Sequence, residues 1–382
     1  MNNRRNLIKL GDIFLIGFLF LYLLYKALID AKFETGFNMV FLIISALVGV
    51  IAIGFNGKIK INMLVPYLVL GIFIAFVFQQ FHFSDTRLFM LYLAGIVLAN
   101  ERETQITKIL LASRIVLILL ILAIGGFDRK NGIGSNVGNV VLLYMCLNEH
   151  LFSRKHWCVI FIVIAALAIM NPENAGVLVV LSIVLLLQIF RKFEVGRKFL
   201  CSKFTMCIYP ICLMITYFLS ASIRVDKIPL IGRFLPMWVN NIYLSFVEKL
   251  NLVLGTRLSL SKTALDRIGI HLLGEDHFSS GYNELILDAA NRNGYFLVDS
   301  GYILLLLRWG ILITILISMV SIVTMKFFIK KRAYNFIIAG FALALWAILE
   351  DSLFYTFILM FWGKAYTALR YKKRMRIDTY EQ

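Results

Sequence analysis

Long, unbroken apolar runs recur along almost the whole of this 382-residue chain, and no other feature constrains its fold more. A helix needs about 20 apolar residues to cross roughly 30 Å of hydrocarbon. About twelve stretches approach that length, near 13–30, 37–55, 61–81, 86–100, 106–124, 133–150, 157–170, 175–190, 204–220, 301–324, 334–350 and 353–369. The short runs at 157–170 and 175–190 flank Asn171-Pro172-Glu173-Asn174, a tight turn signal. Hydrophobic residues make up 60% of the chain and charged ones 16%, more apolar mass than one soluble core can hide. The expected solvent is therefore lipid, and the expected fold is an all-α, polytopic bundle of about twelve transmembrane helices. The runs are continuous rather than alternating, which excludes a transmembrane β-barrel. A soluble enzyme, a secreted disulfide scaffold and a disordered regulator are excluded with it.

Charge orients the bundle. With the N-terminus in the cytoplasm, the alternating inner segments collect 23 of the 39 Lys and Arg residues. The short outer loops hold only Lys32, Arg87, Arg129 and Lys130, with Lys26 at a span end. Such a bias places both termini inside. It also accounts for the net charge of +17 without nucleic acid as a partner. The first span follows Arg4 and Arg5 but has no small-residue cleavage site, so it reads as an uncleaved anchor. Cys146, Cys158, Cys201, Cys207 and Cys212 lie in or beside apolar runs and read as reduced packing residues.

The chain thus divides into an N-terminal bundle of about nine helices (1–220), a large outer loop (221–298), and C-terminal spans with a basic cytoplasmic tail (299–382). The loop is too long to be a mere connector. In it Val239, Ile242, Tyr243, Phe246, Val247, Leu250 and Leu254 recur at helical spacing, with Asn240, Asn241, Glu248 and Lys249 largely off the stripe. An amphipathic helix on the membrane or the bundle is expected. A second short helix is expected with Ala264, Leu265, Ile268 and Leu272 on one face, Ser261 as its N-cap and Gly274 past its end. Residues 221–274 carry a net charge of +4 and residues 275–298 a net charge of −3. Such polarity suits a ligand with an anionic end and a polyhydroxyl end, although a solvated loop of mixed charge would read the same.

Four motifs carry a family resemblance. The run NLVLGTRLSLSKTALDRIGIHLLGE (251–275) resembles the outer-loop signature of Wzy-like polysaccharide polymerases, the O-antigen and capsule polymerases with an O-antigen-ligase-like membrane fold. VDSGYILLLLRWGI (298–311) resembles the start of the span after that loop, and ILEDSLF (348–354) the late acidic turn. NGIGSNVGN (131–139) sits where the family has a glycine-rich loop. The departures are Leu-Leu-Gly for Leu-Phe-Gly at the loop's end, Asn136 and Asn139 without a proline partner, and Asp299 where relatives carry His.

The resemblance implies glycosyl transfer at the outer leaflet. A growing glycan on undecaprenyl diphosphate moves onto the next lipid-linked repeat unit. The leaving diphosphate calls for Arg, whose planar fork makes two bonds to phosphate oxygens. Arg257 is the first candidate, followed by Arg129 and Lys130 between spans five and six. Asp299, at the outer mouth of span ten, is the candidate base for the acceptor hydroxyl. Glu350 is the candidate for holding sugar hydroxyls, with Arg308 facing it inside the bundle. Arg114 and Lys364 are expected to snorkel. The five histidines show no metal spacing and no Asp-x-Asp is present, so no metal or other cofactor is expected. The implied partners are lipid-linked oligosaccharide repeat units and membrane lipids, with a chain-length regulator and a flippase as protein partners. A flippase or transporter of the same lipid-linked units, and a ligase of the same fold, remain as rival readings.

Overall fold

The computed structural model describes residues 37–56 and 175–223, most of 225–274, and 300–348, with scattered helical positions within 13–21, 108–119 and 140–144. Among these residues every regular element is a helix, as an all-α fold requires. The apolar run near the N-terminus forms α1 (Phe37–Asn56). The next run forms α2 (Ala175–Phe190), with the bounds its sequence suggests. Three short helices follow: α3 (Glu194–Leu200), α4 (Lys203–Met206) and α5 (Ile208–Ala221). The loop region contributes α6 (Met237–Val253) and α7 (Arg257–Ile268). After it come α8 (Gly301–Lys330) and α9 (Tyr334–Trp346).

The span expected at 204–220 is not one straight helix. The chain turns by 65° between Glu194–Met206 and Ile208–Ala221. Local chemistry explains the corners. Ser202 caps α4 by accepting from the Thr205 amide at 3.2 Å, and the Thr205 hydroxyl returns to the Phe199 carbonyl at 2.8 Å. Gly196 lets α3 cross tightly over the end of α2, because a Cβ there would lie 1.9 Å from the Phe190 carbonyl oxygen. Phe199 then packs its ring against Phe190, Phe204 and Phe341.

The core of the described region is α9, which is buried on all sides except at Tyr334 and Leu345. A helix apolar all round belongs at the centre of a bundle. It packs most extensively on α2 and also touches α3, α5 and α8. The Gly301 amide donates to the Ala347 carbonyl at 3.0 Å and the Tyr302 hydroxyl to the Ala344 carbonyl at 2.8 Å. The start of α8 is thereby pinned to the end of α9.

In its second half α8 buries hydroxyl residues among apolar ones such as Ile313, Ile317 and Phe328. Its exposed face is Leu312, Ile315 and Met319, whereas Thr314, Ser318, Ser321 and Thr324 are buried. Three of those hydroxyls donate back to backbone carbonyls within the helix, at Gly310, Thr314 and Ser318, over 2.7 to 2.8 Å. Small hydroxyl residues so satisfied let a neighbouring helix approach closely in an apolar solvent. Among the described residues, α8 is the one helix long and apolar enough to cross a membrane alone; the bent pair ending in α5 adds a second if counted as one span. The figure of about twelve spans rests on the sequence.

Candidate functional site

The two helices expected within 221–298 form near their positions; α7 packs Ala264, Leu265 and Ile268 inward as expected, whereas the stripe of α6 is buried only in part. In α6 only Val247 of the apolar stripe is fully buried, with Tyr243 and Leu250 half-buried. Ile242 and Phe246 face outward with Trp238, forming a second apolar strip one turn apart. Asn240, which the stripe left off, is buried instead. Its side-chain amide donates to the Gly232 carbonyl at 3.0 Å and approaches those of Leu235 and Pro236. A buried amide that closes a turn outweighs the apolar pattern at that position.

Helix α7 starts at Arg257, four residues before the cap expected at Ser261, and Ser261 is buried on its inner face. The cap comes from outside the helix. Asn251, in the last part of α6, accepts from the Ser259 amide at 3.0 Å and donates to the Ser259 hydroxyl at 2.7 Å. One amide side chain thus ties both loop helices together and satisfies an N–H that the first turn leaves unpaired. The helix ends at Gly269, whose φ of +79° suits glycine, and not beyond Leu272, which is 58% exposed. On its surface Lys262 is paired with Asp266.

Two apolar clusters seat α7. Near its start Leu258 packs with Ile223 and Val247, with Leu219, Tyr243 and Leu250 alongside. Near its end Ala264 and Ile268 pack with Ile303, Leu304 and Leu307 of α8, with Tyr217 alongside. A groove of about 500 Å³ runs along α5, lined by Pro210, Met214 and Phe218 and closed by Tyr243 of α6. Leu219 and Tyr243 border both this groove and the cluster around Leu258, the residue after Arg257.

Beyond α7 the chain locks into α8. Gly310 lies inside that helix with φ 77° and ψ 179°, which breaks it into two halves. The break deprives the next amides of their helical acceptors. Instead Ile311 donates to the His271 carbonyl and Leu312 to the Leu272 carbonyl, each at 3.1 Å. Gly274, also at positive φ, completes the junction, since a Cβ there would stand 2.2 Å from the Arg308 carbonyl oxygen. Two glycines and two main-chain bonds join the turn after α7 to the break in α8. The broken helix and its loop plug were legible in neither periodicity nor hydropathy; the trace in the sequence is the single glycine of Arg308-Trp309-Gly310-Ile311.

Of the candidate site residues, Arg257 is half-buried at the first position of α7. A cation at a helix start opposes the dipole by roughly 0.3–1 kcal/mol, a penalty that a bound anion would reverse. Arg308 is buried two residues before the break and next to the junction. The two arginines are not brought together directly. Arg257 opens α7 while Arg308 lies near its other end, and eleven residues of helix separate Arg257 from Ile268, about 16 Å. Arg129, Lys130, Asp299 and Glu350 lie outside the described residues. Ser300, which follows Asp299, is the N-cap residue of α8 and is buried. Arg114 is buried and does not snorkel, and Lys364 lies outside the described residues.

Beside the start of α8 the rings of Tyr209 and Tyr302 meet edge to face with centroids 5.0 Å apart, both fully buried, with Cys212 against Tyr302. Cys201, Cys207 and Cys212 are free thiols. Among the described residues no group of three His, Cys, Asp or Glu is placed to hold a metal ion. No protein-family model matches this chain, and neither does any curated protein or solved structure.

Proposed function

We propose that this chain is a multi-pass membrane glycosyltransferase of the cell envelope. In this reading it is a polysaccharide polymerase that transfers a growing undecaprenyl-diphosphate-linked glycan onto the next lipid-linked repeat unit, at the outer face of the cytoplasmic membrane. The observation that carries the reading is the junction. The loop helix that begins with Arg257 is held by Asn251 at one end and locked into the break of α8, beside Arg308, at the other. A loop so anchored is a part of the working structure and not a solvated connector.

Two further observations support a membrane setting. Leu312, Ile315 and Met319 of α8 stand exposed while Thr314, Ser318, Ser321 and Thr324 are buried, an arrangement that suits lipid. From Gly310 to Lys330 runs about 30 Å of helix, one hydrocarbon thickness, between the loop junction and a basic turn.

In the proposed reaction the acceptor hydroxyl attacks the anomeric carbon of the donor glycan. The bond between that carbon and the phosphate oxygen breaks, and undecaprenyl diphosphate departs. Asp299 takes the hydroxyl proton, Arg257 meets the charge growing on the diphosphate, and Glu350 with Arg308 orients the acceptor sugar. Arg129 and Lys130 are secondary diphosphate contacts. The apolar groove along α5 fits the carrier's isoprenoid chain.

The test is genetic complementation read as a glycan ladder. Arg257→Ala should leave single repeat units and normal protein levels but no long polymer. Arg257→Lys should restore it only in part, because the bidentate fork is lost. Full-length polymer from Arg257→Ala would overturn the assignment.

A further inference from the structure

At the end of α8 opposite the glycine junction, several elements crowd their charges into one corner. Asn335, buried at the start of α9, accepts hydrogen bonds from Gln188 Nε2 at 3.3 Å and Arg191 Nη1 at 2.6 Å. The neighbouring Tyr334 hydroxyl lies against the Cys201 thiol; the Tyr334 amide donates to the Arg332 carbonyl at 2.9 Å and the Cys201 amide to the Arg197 carbonyl at 3.1 Å, which brings both arginines to this corner. Cations from the turn after α2, from α3 and from the turn before α9 therefore converge on one polar pair. Residues 191–206 and 326–334 together hold nine Lys and Arg against one acid, Glu194, which is already paired with Lys198 at 2.7 Å. So dense a cluster of like charge favours a bound anion.

Two features separate this corner from an ordinary basic loop. Arg332 has a φ of +51°, left-handed backbone in which glycine would be relaxed and arginine is not. The turn keeps a cation at a position where its backbone resists one. Beside the cations, Phe193 and Val195 are 60% and 68% exposed, just before the tight crossing at Gly196. Apolar side chains held outward next to Lys and Arg match the chemistry of a lipid interface, with headgroup and acyl region side by side. Basic pockets between helices at the cytoplasmic side suit anionic headgroups in this way.

We propose that this corner binds the phosphodiester headgroup of an anionic phospholipid between Arg197 and Arg332, with its acyl chains along Phe193 and Val195. The proposal rests on the membrane setting above and not on the polymerase chemistry. A free phosphate offers the same anion, but it would leave Phe193 and Val195 without a purpose.

The experiment uses the full chain, extracted in detergent and exchanged into mixed micelles of phosphatidylglycerol and phosphatidylcholine in equal amounts. Co-purified lipid is then read by native mass spectrometry. The wild type should retain phosphatidylglycerol over phosphatidylcholine by roughly tenfold or more. Arg197→Gln with Arg332→Gly should bring that ratio close to one. Arg332→Gly also relieves the left-handed backbone, so a loss of lipid cannot come from a damaged fold. Arg197→Lys alone should keep most of the preference. An unchanged ratio in the double variant overturns the proposal, as does complete displacement of the lipid by inorganic phosphate. A protein recovered without detergent would overturn the membrane setting itself. Lipid indifference in a detergent-extracted protein overturns this site alone.

Discussion

Gly274 and Gly310 meet backbone to backbone: a Cβ on Gly310 would stand 2.2 Å from the Gly274 amide nitrogen. Both residues have positive φ, so an added side chain faces a clash and a strained backbone together. Gly310→Ala and Gly274→Ala should each lose roughly 2–5 kcal/mol, the sum of a left-handed penalty and overpacking. Thermal unfolding in detergent reads this directly. Gly17→Ala is the control, because a Cβ there makes only an ordinary 3.5 Å contact with Val48. It should be neutral or mildly stabilising.

Asn251→Ala removes the cap on α7 and leaves the Ser259 amide without its acceptor. The expected cost is about 1–3 kcal/mol. Because Arg257 opens the same turn, polymer length should fall along with stability. Lys262→Ala, which removes a surface ion pair on the same helix, should change neither by much. Equal effects from the two substitutions would show that the turn's geometry is irrelevant to function.

Tyr302→Phe keeps the ring against Tyr209 but deletes the bond to the Ala344 carbonyl. A buried carbonyl then loses a donor, at about 1–3 kcal/mol. The unfolding midpoint should drop while glycan ladders from surviving protein keep their length distribution. A changed ladder at normal protein level would make Tyr302 part of the site.

Reporter fusions test orientation. Fusions after Lys198 and Lys331 should both read cytoplasmic, since the Tyr334 hydroxyl lies against the Cys201 thiol and the two turns must share one side. A fusion near Ser280 should read external. An internal reading at Ser280 would remove the basis for chemistry at the outer leaflet.

Asp299→Asn preserves shape and removes the proposed base, so polymerisation should fall more than retention of the lipid-linked substrate. Glu350→Gln should weaken use of the acceptor more than of the donor. Loss of both substrates in equal measure would return Asp299 to a helix-terminal role, where the dipole favours a carboxylate.

How far the sequence speaks depends on which forces decide each element. The limits of α2 and the start of α8 were legible because apolar run length sets them. Helices α6 and α7 were legible in periodicity, as was the inner face of α7 at Ala264, Leu265 and Ile268, but the polar residues that α6 buries were not. Asn240 and Asn251 reverse the polarity rule through hydrogen bonds to residues whose proximity only the fold creates. The break at Gly310 escaped because apolar residues continue unchanged on both sides of it, and hydropathy has no sense of backbone direction. The corner at Cys207 escaped for the same reason. At the site, Arg308 stood out as a charge in apolar surroundings and Arg257 through the resemblance of its run, whereas the glycine junction that lies beside Arg308 carries no charge to notice.

The joint between loop and span has a consequence for how such a chain can diversify. Its hydrogen bonds run from the amides of Ile311 and Leu312 to the carbonyls of His271 and Leu272, and main-chain groups do not register which side chains they carry. Exchange of those four residues, or of the solvent-facing positions on α7, leaves the attachment intact as long as Gly274 and Gly310 remain. Specificity can therefore drift on one side of the joint while the scaffold on the other stays fixed. The two glycines act as a socket into which differently decorated loops can plug.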